Sequence, residues 1–281
     1  MQRFAFFGTP SLACDILDAL AAAGYVPAVV VTMPDRPQGR GMIVQSSPVG
    51  SWAKVRDIPT LKPEKLDEGF ITEVRSHDVP FAIVVAYGKI VPQTVLDSFA
   101  RGMWNVHYSL LPRWRGATPV ESAILAGDAE TGVVIQRMVY ALDAGPVVAH
   151  ELVTIAPDET APALRARLNT IAAELLVRIF PALASGTSEL VEQDAALATR
   201  CGKMDKIDGD ISADDDTTRW RKYRAYFAWP GTYFFAERGG KTIRVKVVAA
   251  HWEHGFVIDT VTPEGKGPMP YATFLASTQQ R

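Results

Sequence analysis

Several things are scarce in this sequence, and each scarcity removes a class of protein. Its two cysteines, Cys14 and Cys201, stand far apart and in no CxxC spacing. Neither a disulfide framework nor a cysteine zinc site follows, and both read as packing residues. No GxGxxG follows the first apolar run, "RFAFFGTPSLA", and no GxxxxGK[ST] occurs anywhere, so the usual dinucleotide and nucleoside triphosphate loops are missing. Gly8-Thr9-Pro10 reads as a plain strand-to-helix turn. No apolar run approaches the ~20 residues of a spanning helix. The start, "MQRFAFFGTP", lacks a signal-peptide core and cleavage site. A cytoplasmic enzyme with no membrane partner, acting as a monomer, is the expectation. Charge of one sign is scarce too: 29 Lys and Arg face 31 Asp and Glu, so nothing global pulls the chain toward nucleic acid.

What is present is an ordinary globular composition, 48% hydrophobic and 21% charged, over 281 residues. That length suits one large domain with a small appendage. Short β-rich runs alternate with helical patterns, which predicts an α/β fold with a mostly parallel sheet. "RFAFFG", "VPAVVVT", "PFAIVVAYG", "GMWNVHY" and "TGVVIQRMV" read as strands, and their near-continuous apolar character suits burial on both faces. "SLACDILDALAAAG" reads as a helix stopped by Gly24. The stretch "DETAPALRARLNTIAAELLVRIFPALASG" reads as a long helix capped by Asp158 or Thr160 and stopped by Gly186. This helix is expected to close a first domain over 1-188. A polar, acidic segment over 189-216 reads as a solvated linker, and a small β-rich domain over 217-281 contains a Gly239-Gly240 hairpin turn.

The chemistry centres on "WNVHYSLLPRWRG", Trp104 to Gly116, and on Asp143 in "ALDAGPV". Residues two apart on a strand point to one face, so Asn105 and His107 project together near its carboxyl end, where open α/β sheets place their sites. An amide and an imidazole side by side suit a developing oxyanion, and Asp143 suits holding the imidazole and passing a proton. With no GxSxG elbow, the set fits direct acyl transfer from a carrier rather than a covalent acyl-enzyme. Spacing alone leaves open that Asn105 and His107 only satisfy strand-end hydrogen bonds.

"NVHYSLLPRWRGATPVESAILAGDAETGV" followed by "ALDAG" resembles, nearly residue for residue, the signature of the formyltransferases that use 10-formyltetrahydrofolate. The resemblance implies a Rossmann-like formyltransferase domain and a catalytic trio of Asn105, His107 and Asp143. It also implies folate contacts from Ser109, Leu110, Leu111 and Pro112, and a pteridine between the loop carrying Ala86, Tyr87, Gly88 and Ile90 and the loop carrying Tyr140 and Leu142. It implies 10-formyltetrahydrofolate as donor and no metal. "TMPDRPQGRGMIVQSSPV" resembles the long loop of the family members that formylate methionyl-tRNA, which implies initiator methionyl-tRNA as acceptor, with Arg36 and Arg40 as contacts. A sugar-nucleotide N-formyltransferase using the same donor is the alternative. "VTPEGKGPMPYATFL" resembles the closing motif of the family's C-terminal domain, here shortened, so 217-281 is expected to be a reduced OB-like unit.

Between Thr217 and His254, eight Lys or Arg face two Glu, with Trp220, Tyr223, Tyr226 and Trp229 interleaved. That is the composition of an RNA contact face. The "PDRPQGRG" segment, rich in proline, glycine and arginine, predicts an exposed loop with no regular structure.

Overall fold

The computed structural model describes residues 2-38 and 43-279, which divide into two compact units. The first comprises 1-116, 132-153 and 166-200; the second comprises 117-131, 154-165 and 201-281.

The first unit is built on a seven-stranded sheet. In chain order its elements begin with β1 (Ala5–Gly8), α1 (Ser11–Ala22), β2 (Val29–Val31), β3 (Arg36–Gln38), β4 (Ile43–Gln45), α2 (Pro48–Lys54) and β5 (Thr60–Leu61). They continue with α3 (Glu68–Ser76), β6 (Ala82–Val85), α4 (Gln93–Leu96), β7 (Met103–His107) and the short β8 (Arg115–Gly116). After α5 (Pro119–Ala126), which falls in the second unit, come β9 (Glu130–Arg137), β10 (Val147–Thr154) and the long α6 (Ala161–Ser185). The sheet order is β10-β9-β7-β6-β1-β2-β5. β5, β2, β1, β6 and β7 run parallel, and β9 is antiparallel to β7.

β1, β2 and β6 are buried along their whole lengths, the reason their sequences show no polar alternation. Gly24 (φ 85°) and Gly186 (φ 76°) adopt the left-handed conformation that ends a helix. By length and composition α6 is apolar enough to cross a membrane even with charged Glu174 and Arg178 within it. Its Leu168, Leu176, Phe180 and Leu183 are nevertheless fully buried, and Phe180 meets Phe4, just before β1, edge-on at 5.0 Å and stacks on Tyr25 at 4.0 Å. It is a core helix.

The Arg-bearing segment differs from the irregular loop expected. Its flanks pair as a two-stranded hairpin, Arg36 opposite Gln45, separate from the main sheet. Lys62 anchors its base, reaching Asp35 at 2.7 Å and Ser46 Oγ at 3.0 Å. Arg36 is exposed. Arg40 lies outside the described residues.

The segment after α6, read as a solvated linker, is bound in place over 191-200. Val147 and Val191 exchange backbone hydrogen bonds of 2.8 Å, and Thr199 accepts from the Arg115 amide at 2.9 Å.

The chain continues with β11 (Arg200–Cys201), and the second unit then takes α7 (Asp216–Ala225), β12 (Tyr233–Arg238), β13 (Lys241–Trp252), β14 (Phe256–Pro263), β15 (Met269–Pro270) and α8 (Tyr271–Gln279). β12 to β15 form one antiparallel sheet in sequential order. Gly239 (φ 57°) and Gly240 (φ 73°) make the turn between paired Arg238 and Lys241, both with the positive φ that a two-residue hairpin turn needs. Val245, Val261 and Phe274 are its fully buried centre, with Ile211, Tyr223 and Val247 forming a second cluster. Arg224 is buried at 7% exposure, 5.6 Å over the Trp220 ring, so one of the eight basic residues is core.

Candidate active site

Three left-handed residues without the freedom of glycine mark the site: Ala86 (φ 47°), Trp114 (φ 60°) and Asp143 (φ 50°). Such conformations cost roughly 1–2 kcal/mol each for L-residues and persist where the surroundings enforce them.

β7 presents Asn105 and His107 on one face, as the two-residue period requires. Asn105 pairs in register with Gln136 of β9, so those side chains stand on the same face. The loop after β9 folds back over it. Its base is closed by Arg137 N donating to Pro146 O at 2.9 Å, and Gly145 lies against the Arg137 carbonyl, where a Cβ would sit 1.8 Å from the oxygen.

This closure delivers the Asp143 carboxylate. Oδ2 accepts from Gly116 N at 2.9 Å and Oδ1 from Gln136 Nε2 at 3.1 Å. Oδ2 stands 3.7 Å from His107 Nδ1, longer than a hydrogen bond. His107, 5% exposed, turns Nε2 onto the Trp114 carbonyl at 2.9 Å, so that nitrogen carries a hydrogen. Both groups facing the ring are acceptors, and the ring can donate to both only as an imidazolium. Asn105 is half-buried and its side chain makes no hydrogen bond among the described residues, leaving its amide available.

The "SLLP" stretch is mostly internal. Ser109 is fully buried and its hydroxyl donates to Arg113 O at 2.6 Å, which removes it as a nucleophile and as a side-chain contact. Leu110 is half-buried over Gly132, where a Cβ would meet Leu110 Cδ2 at 2.5 Å and Glu151 O at 2.2 Å. Leu111 and Pro112 are half-buried and joined by a cis peptide bond.

The two expected folate loops divide by exposure. Ile90 (81%), Tyr140 (69%) and Leu142 (63%) hold large apolar side chains in water, the last two on the loop that carries Asp143. Ala86 and Gly88 are exposed as well. Tyr87 is different: its ring is buried against Phe7 at 5.3 Å, and burial pushes its hydroxyl up to about 12. The Tyr87 side chain therefore belongs to the core, and only its backbone faces the loop, its carbonyl accepting from Thr9 Oγ1 at 2.8 Å.

Sequence reasoning missed Gln136 and Gln193. Gln136 carried a signal, being an amide directly after the apolar run Val133 to Ile135 of a buried strand. Gln193 carried none. Among the described residues no three His, Cys, Asp or Glu side chains group as a metal site requires.

A strand-borne amide and imidazole, with a carboxylate delivered by a folded-back loop, make an arrangement that can carry acyl transfer without a protein nucleophile. The formyl transferase family pattern matches residues 2-180. A methionyl-tRNA formyltransferase of Parvibaculum lavamentivorans is 41% identical over 272 residues, 92% of this chain and 86% of that protein. That of Thermus thermophilus is 40% identical over 293 residues, 96% of this chain and 94% of its own. The chain belongs to the formyl transferase family, among the methionyl-tRNA formyltransferases. Its fold is shared by an N-formyltransferase of Helicobacter canadensis solved with folinic acid and dTDP-3-aminofucose (TM-score 0.65, 15% identity, 90% of this chain and 89% of that one). A sugar N-formyltransferase from Shewanella shares it too (TM-score 0.68, 14% identity, 90% and 100% covered).

Proposed function

We propose that this protein transfers the formyl group of 10-formyltetrahydrofolate to the α-amine of initiator methionyl-tRNA. The observation that carries the reading is the convergence of Asn105, His107 and Asp143 at one strand end, in a chain 40% identical to a methionyl-tRNA formyltransferase over 96% of its length. The sugar-nucleotide alternative rests on neighbours at 14–15% identity, a likeness of fold.

The donor supplies a formyl carbon bonded to nitrogen N10. The unprotonated α-amine attacks that carbon; a new C–N bond forms, the bond to N10 breaks, and the amine's proton ends on N10. Asn105, with its amide unspent, donates to the formyl oxygen as charge develops there. His107 exchanges its Trp114 contact for the same oxygen, since hydrogen bonds in unliganded sites often tighten only with substrate. Asp143, fixed by Gly116 N and Gln136, orients the ring and stabilises its protonated form while the proton moves. Ile90, Tyr140 and Leu142 offer the flat apolar surface that a pteridine ring needs.

Two surfaces suit the tRNA. In the Arg-bearing segment, whose Arg40 lies outside the described residues, Arg40→Leu is expected to lower kcat/KM for charged initiator tRNA about tenfold or more, the ~1–3 kcal/mol of one good polar contact to nucleic acid. Hydrolysis of the donor without tRNA should not change; equal kcat/KM in variant and wild type removes Arg40 from the interface. In the second unit, the outer face of its sheet places Phe235 opposite Arg244 and Tyr233 opposite Lys246, with Arg244 5.3 Å over the Tyr233 ring. On the helix, by contrast, Lys222 is spent on Asp214 at 2.7 Å. Lys246→Glu should therefore weaken tRNA binding and make the slope of log Kd against log salt shallower by about one. An unchanged slope rejects the sheet as a contact face.

A further inference from the structure

Gln193 lies 50 residues from Asp143 in sequence and beside it in space. Its Nε2 stands 3.0 Å from the Asp143 carbonyl, 2.6 Å from the Gly145 carbonyl and 3.2 Å from Gln136 Oε1. Its Oε1 accepts from Arg115 Nε at 3.0 Å and Nη2 at 2.8 Å. Arg115 is itself fixed by its backbone amide, which donates to Thr199 O, while Trp114 N donates to Thr199 Oγ1 at 2.9 Å.

The pattern is selective. The two hydrogens of one amide NH2 are shared among three acceptors, the loop's own carbonyls on either side of Ala144 and the oxygen of the glutamine whose other end holds the Asp143 carboxylate. The loop so held contains a non-glycine residue at φ 50°, a conformation rarely kept without external constraint. The opposite end of Gln193 is gripped by the arginine next to Trp114, whose carbonyl holds His107. One side chain thus ties together the backbone that aims Asp143 and the backbone that aims His107.

We propose that Gln193 is a positioning residue for the Asp143–His107 pair. It acts through the 143-145 backbone and through Gln136, touching neither donor nor acceptor. The inference rests on the reading of Asp143 as part of the reacting site. Replacement by leucine keeps the approximate volume and removes every one of these bonds. Replacement by glutamate keeps an acceptor for Arg115 but sets carboxylate oxygens against two carbonyls, and so removes the half that fixes the loop.

The test is a double-mutant cycle in the full chain, with Gln193→Leu made in wild type and in Asp143→Asn, using single-turnover formylation of charged initiator tRNA. Folding is checked by circular dichroism; if leucine unfolds the chain, Gln193→Glu carries the same expectations. Gln193→Leu should lower the rate about tenfold to a hundredfold with KM for the donor within about threefold, as misaimed groups do. In Asp143→Asn the same change should cost less than about threefold, because the carboxylate being aimed is gone. The rate–pH profile of Gln193→Leu should also be displaced from that of wild type, whereas a purely structural seam would lower the rate by one factor at every pH. A rate within about threefold of wild type, an equal loss in both backgrounds or a superimposable profile overturns the proposal. Near-wild-type activity of Asp143→Asn alone overturns the reading of the site beneath it, a separate and recognisable result.

Discussion

Replacing His107 with alanine should lower kcat by about two to four orders of magnitude, the scale of lost oxyanion and proton-transfer assistance. The ring is buried, held by a carbonyl at one nitrogen and faced by a carboxylate at the other, so neither solvent nor a neighbouring side chain replaces it. Asp143→Asn should fall in the same range for a different reason. Both carboxylate oxygens accept from fixed donors, Gly116 N and Gln136 Nε2, so an amide NH2 in either orientation meets a donor. Donor binding should change little in either variant, because the exposed apolar side chains that suit the pteridine are untouched. A kcat above about a tenth of wild type in either variant contradicts the assigned roles.

Gly145→Ala should cost about a hundredfold in kcat although the glycine touches no reacting atom. A Cβ there would lie 1.8 Å from the Arg137 carbonyl oxygen, and that obstacle is backbone in a sheet strand, so the loop must move by roughly 1 Å or more. The Asp143 carboxylate moves with it, and misplacement on that scale is what costs two orders of magnitude in positioned catalysis. Gly202→Ala, where a Cβ has nothing within 4 Å, is the control and should leave kcat unchanged. A Gly145→Ala enzyme with wild-type kcat would mean that the loop closure does not aim the carboxylate.

The part of the fold legible in the sequence was the part with a local cause. Strands buried on both faces announced themselves as apolar runs, and Gly24, Gly186 and the Gly239-Gly240 pair marked ends and turns because their backbone needs positive φ. β10 was not legible, since "VVAHELVT" mixes His150 and Glu151 into a strand exposed along much of its length. The hairpin around Arg36 was read as irregular because proline, glycine and charge dominate it, while its pairing is set by strand-to-strand register.

The site divides in the same way. Strand periodicity predicts that Asn105 and His107 share a face of β7, and the glycine-bearing turn singles out Asp143, which stands 3.7 Å from His107. The resemblance implies Tyr87 as part of a folate-facing loop, while its ring fills space beside Phe7, a tertiary fact. The Trp114 carbonyl, a backbone group, has no sequence signature at all. Gln193 sits in a polar, acidic stretch whose composition describes solvent exposure for its neighbours Glu192 and Asp194 and conceals the residue between them that turns inward.

The most direct test of the account is a side-by-side formylation assay. Purified full-length protein with 10-formyltetrahydrofolate is offered either charged initiator tRNA or an amino-sugar nucleotide, and the products are identified by mass. The account predicts N-formylmethionyl-tRNA from the first, dependent on His107, and no formylated sugar from the second. Formylated sugar nucleotide with untouched methionyl-tRNA would contradict it.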